Sequence, residues 1–421
     1  MGRAIRRIVL GTIVALTLFG AFGFAGADAA ATRPNQTDRI VDAIPRGDLL
    51  TKPASALVDS DRQVVARRLT AFQLPGWFVM VLFEALALAY FWSSGRAAGL
   101  RDWLRRRWKT RWSVRFAFGA ALALIARVAA LLPAFYLYRV ERTMGLSGEL
   151  TRQWFGFWVL HTALAMTVAG IAAALILWLV ERTHQWYIYT ILAILGVSIS
   201  WAYARPYFEV PQQSVLQPVS GVLAQQISAA LARGGIHDVA AYTQRPSGSP
   251  FAGAVMLGGL QHRVVLDGGV VAASTPEEAV YDAAFETAHA IHADPLFVAL
   301  IEGGIIIIFS ALAVVLADRC GFRRDDDPLS RLALVGALLA LVYIGAVPVR
   351  NAALRSYDFD ADRYAVSIGG DPAAAIRSIV RATDQQMQEA CPGLGARLFL
   401  NNRPDASARI AAINRIPAGC P

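Results

Sequence analysis

Residues 274–292 read STPEEAVYDAAFETAHAIH, and this stretch decides what kind of folded core the chain carries. Thr275 suits a helix N-cap, Pro276 the first helical position and Glu278 the third, which together make a capping box. The spacing predicts a helix from there to about Ala293. Positions 285, 289 and 292 fall at i, i+4 and i+7, so Phe285, His289 and His292 share one stripe, with Glu286 beside it. Upstream, Gln217–Arg233 has helical periodicity and stops at Gly234-Gly235. Two short apolar runs lie between, Ala254–Leu257 and Arg263–Leu266, ended by Gly258-Gly259 and Asp267-Gly268-Gly269. They read as a β-hairpin leading into the helix.

Outward from this core the chain is unusually apolar. It is 56% hydrophobic and only 17% charged over 421 residues. A soluble domain carries about a quarter charged residues, so a disordered chain is excluded and a soluble enzyme disfavoured. Six apolar stretches, about 75–93, 114–138, 154–180, 186–204, 295–317 and 329–349, are each long enough to cross roughly 30 Å of hydrocarbon as a helix. Before them, Arg3, Arg6 and Arg7 precede an apolar run from Ile8 to Phe24 and the small residues Ala25-Gly26-Ala27. Residues 1–27 are therefore a secretory signal peptide or a first membrane anchor, and both readings stay open. Residues 28–74 form an extramembrane segment.

Charge fixes the expected orientation. Arg96, Arg101, Arg105, Arg106, Arg107, Lys109, Arg111 and Arg115 face a single acid, Asp102, in the loop after the first of the six stretches. The positive-inside rule makes that loop cytoplasmic. Residues 205–294 and the tail from Arg350 then lie outside, which in a bacterium is the periplasm. The net charge of +9 is spent on such loops, so nucleic acid is not an expected partner; the lipid bilayer is. Of three cysteines, none is in a CxxC pair, which leaves no thiolate metal site. In an oxidising compartment Cys391 and Cys420 are available to pair, and two free thiols is the other reading. Glu84, Arg127, His161 and Glu302 fall inside the apolar stretches. Such groups face a wet chamber or a partner, for example Glu84 with Arg127.

The helix at 276–292 carries Phe285-Glu286-Thr287-Ala288-His289. Zinc peptidases of the zincin type use HExxH here: two histidines one turn apart hold the metal and the glutamate activates the water. Beyond the last apolar stretch, residues 351–364 read NAALRSYDFDADRY. With these two segments the chain resembles the type I CAAX prenyl endopeptidases, membrane-embedded gluzincins that pair HExxH with a downstream ExxAD. Asp358 to Asp362 aligns with ExxAD, with aspartate for the glutamate ligand, and Asn351 and Arg355 match residues that commonly precede it. Glu141–Ser147 followed by Trp154, the Arg263–Leu266 strand, and Arg403-Pro404 with Arg409-Ile410 also resemble family segments in the family's order. The resemblance covers most of the chain.

The resemblance implies a mainly α, polytopic membrane protein. Six to seven transmembrane helices would surround a chamber, with a small α+β zincin-like core. Domain by domain, it implies helices two to five over 75–204, the core over 205–294, helices six and seven over 295–349, and an ExxAD-like helix and tail over 350–421. It gives Glu286 the catalytic role, His289 and Asp358 ligand roles, and Asp362, Arg355 and Asn351 supporting ones. The residues depart from the pattern where chemistry needs them most. Phe285 stands at the first ligand position and cannot bind a metal. Asp358 is one methylene short of glutamate, so its oxygen reaches about one bond length less. The stretch near Ala252-Gly253-Ala254 lacks the Asn and Tyr of the family's substrate strand. A catalytic zinc wants three protein ligands and an open position. The expectation is a family member with a degenerate zinc site, a pseudoenzyme with weak or absent proteolysis. One alternative is an active zinc endopeptidase using His289, His292 and Asp358 on peptides or membrane-protein substrates. Another is a non-catalytic scaffold or partner of an active relative. The cofactor is zinc if the protein is active and none otherwise. The expected location is the bacterial inner membrane, core facing the periplasm.

Overall fold

The structure is a computed structural model. It describes residues 37–144, 146, 149–209, 216–237, 239–244, 254–257, 262–292, 294–319, 327–369 and 371–420. The leader at 1–27, Gly258-Gly259, Ala252-Gly253 and the basic-acidic run 323–326 lie outside these residues.

In chain order the helices that matter are α1 (Thr37–Asp42), α2 (Arg46–Thr51), α3 (Ser60–Ser93), α4 (Arg96–Arg107), α5 (Arg111–Thr143), α6 (Thr151–Arg182) and α7 (Trp186–Glu209). These are followed by α8 (Gly221–Arg233), α9 (Gly268–Ala273), α10 (Pro276–Ile291), α11 (Asp294–Arg319), α12 (Pro328–Gly369), α13 (Pro372–Gln385), α14 (Leu394–Phe399) and α15 (Ala406–Asn414). Six of them, α3, α5, α6, α7, α11 and α12, are long and apolar enough to cross a membrane. The protein is a polytopic, mainly α membrane protein. Pro75, Pro133 and Pro348 sit inside three of these helices without ending them; within a bundle, neighbours compensate the lost backbone bond. Small residues let α5 and α6 approach closely. A side chain added at Gly119 would sit 2.5 Å from the Ala169 carbonyl oxygen.

Six crossings place residues 37–59, the segment between α7 and α11, and the tail after α12 on one side of the bundle. Contacts agree with that parity. Arg46 Nη1 meets Asp371 Oδ2 at 2.9 Å and Arg381 Nη2 meets Asp42 Oδ1 at 2.6 Å. The Asp59 amide donates to Asp384, and the Ala390 amide to Gln63 Oε1 at 2.9 Å. The N-terminal segment thus belongs to the extramembrane core: Val41 and Leu49 are buried with Leu231, Leu266, Ala284 and Ile376. Arg381 is buried against the fully buried Glu278 at 2.9 Å, so the capping glutamate of α10 also anchors α13. Cys391 and Cys420 form a disulfide that closes the tail.

The core's sheet has the order β1 (Leu216–Pro218), β2 (Val239–Gln244), β4 (His262–Asp267), β3 (Ala254–Leu257). β3 and β4 are antiparallel as the hairpin reading predicts, with Val255 opposite Val265. Two features depart from the sequence reading. Residues 216–218 are a strand antiparallel to β2, and the helix starts only at Gly221. β2 runs parallel to β4 and had no signal strong enough to be picked out: VAAYTQ is short and weakly apolar. α12 passes unbroken from the apolar stretch into the Asp358 segment. One rigid rod therefore carries the acidic motif out of the membrane.

The disulfide gives a direct test. It closes a separation of 29 residues, a loop whose constraint contributes about 3–4 kcal/mol in the chain-entropy account. C391S/C420S should unfold at a clearly lower temperature than the parent, by scanning fluorimetry in detergent. An unchanged midpoint would contradict the assignment.

Candidate active site

The site forms where α10 lies along α12. Thr275 caps α10, its hydroxyl accepting from the Glu278 amide. That fixes the helix phase and turns Phe285 and His289 toward α12. His289 Nδ1 meets Asp294 Oδ2 at 2.8 Å, and its Nε2 lies 3.3 Å from Asp358 Oδ1. The ring is thus held from behind by Asp294 at the start of α11 and aimed at Asp358 on α12. Burial opposes a charge on this imidazole. Its hydrogen bonds to Asp294 and Asp358, with the nearby Glu286 carboxylate, outweigh burial and push its pKa up to about 9. A metal would have to displace that proton.

Phe285 occupies the middle of the arrangement. Its ring is edge-on to His289 at 4.9 Å and 6.1 Å from Tyr281, and it is 5% exposed. The Arg409 guanidinium from α15 covers its face at 4.9 Å. Arg409 also grips Asp362 through Nε at 2.8 Å and Nη2 at 2.7 Å, and donates to Tyr281 Oη at 3.0 Å. Tyr281 in turn donates to Asp362 at 2.5 Å. Asp362 is therefore committed to Arg409 and Tyr281, and Asp294 is the carboxylate that steadies His289. Glu286 lies 4.0 Å from the Arg403 guanidinium.

These residues fit a zinc ion poorly. The 3.3 Å between His289 Nε2 and Asp358 Oδ1 is about the edge of a zinc tetrahedron, so two donors converge. A third does not. Among the described residues no group of three His, Cys, Asp or Glu side chains is placed to hold an ion. His292 packs edge-on against Tyr364, centroids 5.6 Å apart.

The sequence profile of Peptidase family M48 matches residues 218–416. That interval spans β2 to β4, α10, both acidic positions of α12 and Arg409. Residues 218–416 form a peptidase family M48 domain. The fold of the whole chain matches eight solved chains. One of them is the Ste24p of S. mikatae, with a TM-score of 0.67 and 15% identity over 96% of this chain and 98% of that one. No curated protein matches the chain.

Within the M48 domain, the other residues singled out from sequence are placed as follows. Asn351 is buried and donates to the Leu398 carbonyl at 3.0 Å. Arg355 donates to the carbonyls of Arg397 at 2.6 Å and Asn401 at 3.0 Å. Both hold the tail loop that leads to Arg403 and Arg409. The intramembrane residues are not in the site. Glu302 pairs with Arg350 at 2.7 Å, and His161 stacks on Phe157. Glu84 is 1% exposed, and both its oxygens and Arg127 Nε lack a hydrogen-bond partner. Asp294 and Tyr281 were missed. Asp294 had one usable signal, its place five residues after His289 at a helix start. Tyr281 had only its i, i+4 spacing to Phe285.

Two predictions follow from these contacts. R409M leaves Asp362 buried without its cation, which costs about 3–5 kcal/mol; R409M/D362N should recover part of the lost thermal stability. Equal midpoints for the parent and R409M would contradict the tie. The second concerns Asp282, which accepts from Ser378 at 2.7 Å. Burial, with Glu278 and Glu286 nearby, pushes its pKa up to about 7 from 3.8, despite the Ser378 bond and Arg409. A raised carboxylate favours the folded state at low pH, and that contribution is lost as pH rises through 7. The unfolding midpoint of D282N should therefore fall less than the parent's between pH 5 and 8. Parallel pH profiles would contradict this.

Proposed function

We propose that this chain is an M48-fold membrane protein whose metal centre has been dismantled, so that it binds polypeptide or a membrane partner rather than hydrolysing peptide bonds. The observation that carries this reading is Phe285, an apolar ring at the aligned ligand position, with Arg409 over its face at 4.9 Å. Two retained donors, His289 and Asp358, leave an ion far short of the three ligands that a hydrolytic zinc needs. Glu286, aligned with the water-activating base, has Arg403 as a neighbour at 4.0 Å. Assembling the set His289, His292 and Asp358 would require His292 to leave Tyr364. Among the described residues a hydrolytic reading keeps the approach of His289 to Asp358 in its favour but no third donor.

The compartment belongs to the same proposal. The basic loop after α3 lies on the opposite side of the bundle from the M48 domain, and positive loops stay in the cytoplasm. The Cys391–Cys420 disulfide suits an oxidising space. Together they support a bacterial inner-membrane protein with its domain in the periplasm. Prenylated proteins are cytosolic, so a CAAX substrate does not suit that placement.

Metal analysis of the purified full chain tests the proposal. Native protein should carry zinc far below one equivalent and show no chelator-sensitive cleavage of a peptide panel. F285H/D358E should bind zinc at roughly one equivalent, since it restores the three-donor set. Stoichiometric zinc in the native chain, lost in H289A, would overturn the reading.

A further inference from the structure

The face of the bundle opposite the M48 domain carries a second feature. α4 lies there between the ends of α3 and α5. Its Ala97 and Leu104 are buried against the bundle, with Leu100 packed beside them. Trp103, Arg106 and Arg107 lie one turn apart along the flank of this buried stripe and are all exposed. Residues 105–112 are exposed without a break and add Trp108, Lys109, Arg111 and Trp112. The three indoles are 53%, 40% and 45% exposed. This run joins the end of one crossing helix to the start of the next, so it lies at the level where hydrocarbon gives way to headgroups.

Among the described residues the acids on this side are already engaged, Asp318 lying 3.9 Å from Arg331. Asp102 binds Arg101 at 2.8 Å, Asp327 binds Arg105 at 2.7 Å, and Glu181 pairs with Arg115 and lies 3.9 Å from Arg111. Arg106, Arg107 and Lys109 form no ion pair among the described residues. Cations in the last turn of a helix complement its dipole, but that effect accounts for neither the exposed Trp103 nor Lys109, which lies past the helix end. A phosphodiester at the bilayer surface meets all three requirements at once. It supplies the missing anions, it accepts the guanidinium fork in bidentate fashion, and it lies at the depth where indoles settle.

We infer that Trp103, Arg106, Arg107 and Lys109 form a binding site for the headgroup of an anionic phospholipid. The site is independent of whether the M48 domain hydrolyses anything. It holds the loop against the leaflet that carries the acidic lipids and clamps the α3–α5 turn to the bilayer surface.

The test uses the full chain in detergent with added phosphatidylglycerol or phosphatidylcholine, read by native mass spectrometry as lipids retained. The parent should retain phosphatidylglycerol several-fold over phosphatidylcholine. R106Q/R107Q/K109Q should retain both equally, and R106K/R107K should keep a preference. The triple variant leaves Arg96, Arg101, Arg105, Arg111 and Arg115 to set orientation, and thiol labelling of loop cysteines checks that it inserts as the parent does. Excess inorganic phosphate should not displace the lipid. Equal retention of both lipids by the parent overturns the inference, whatever the variants do. So does an unchanged preference in a correctly inserted triple variant, or displacement by free phosphate, which would mark a simple anion site.

Discussion

The pairing of Arg409 with Asp362 is the contact on which the extramembrane half of this protein depends. A guanidinium and a carboxylate, both nearly out of water, are stable together only if their hydrogen bonds are satisfied. Here they are, by the fork itself and by the Tyr281 hydroxyl. The pair joins three elements that come from distant parts of the chain: α10 through Tyr281 and Phe285, α12 through Asp362 and α15 through Arg409. In a metallopeptidase an ion ties the first two of these together. In this chain Arg409 and Tyr281 tie α10, α12 and α15 together through Asp362, with the Phe285 ring beneath the guanidinium.

That arrangement explains why the remaining polar residues are where they are. His289 keeps a carboxylate at each ring nitrogen, Asp294 and Asp358. A histidine so placed is stable as an imidazolium within the protein's own charges. Arg403 and Arg409 add positive charge near Glu286 and Asp358. Asp294, Asp358, Asp362 and Glu278 thus each face a basic side chain of the chain itself. Below the domain the membrane helices follow a different logic. Glu302 and Arg350 satisfy each other, whereas Glu84 and Arg127 bury polar atoms that find no hydrogen-bond partner.

Much of this was legible in the sequence, because the features were of kinds that sequence encodes locally. Hydropathy marked the crossing helices, and the STPEE cap fixed the start of α10. The ordered motifs around Glu286 and Asp358 pointed to the peptidase fold. What escaped was non-local. β2 is a short, weakly apolar strand whose stability comes from its parallel pairing with β4, across an intervening hairpin strand. The partner of Asp362, Arg409, sits 47 residues away on α15, and spacing alone cannot reveal that pairing. The clamp of residues 37–63 on the tail joins the two ends of the described chain, and no local pattern announces it.

Zinc-edge anomalous diffraction from crystals of the native chain, grown without added metal, addresses the central claim directly. The account predicts no anomalous peak between α10 and α12, with the Phe285 ring and the Arg409 guanidinium filling the space beside His289. A strong peak within bonding distance of His289 Nε2 and Asp358 Oδ1 would contradict it.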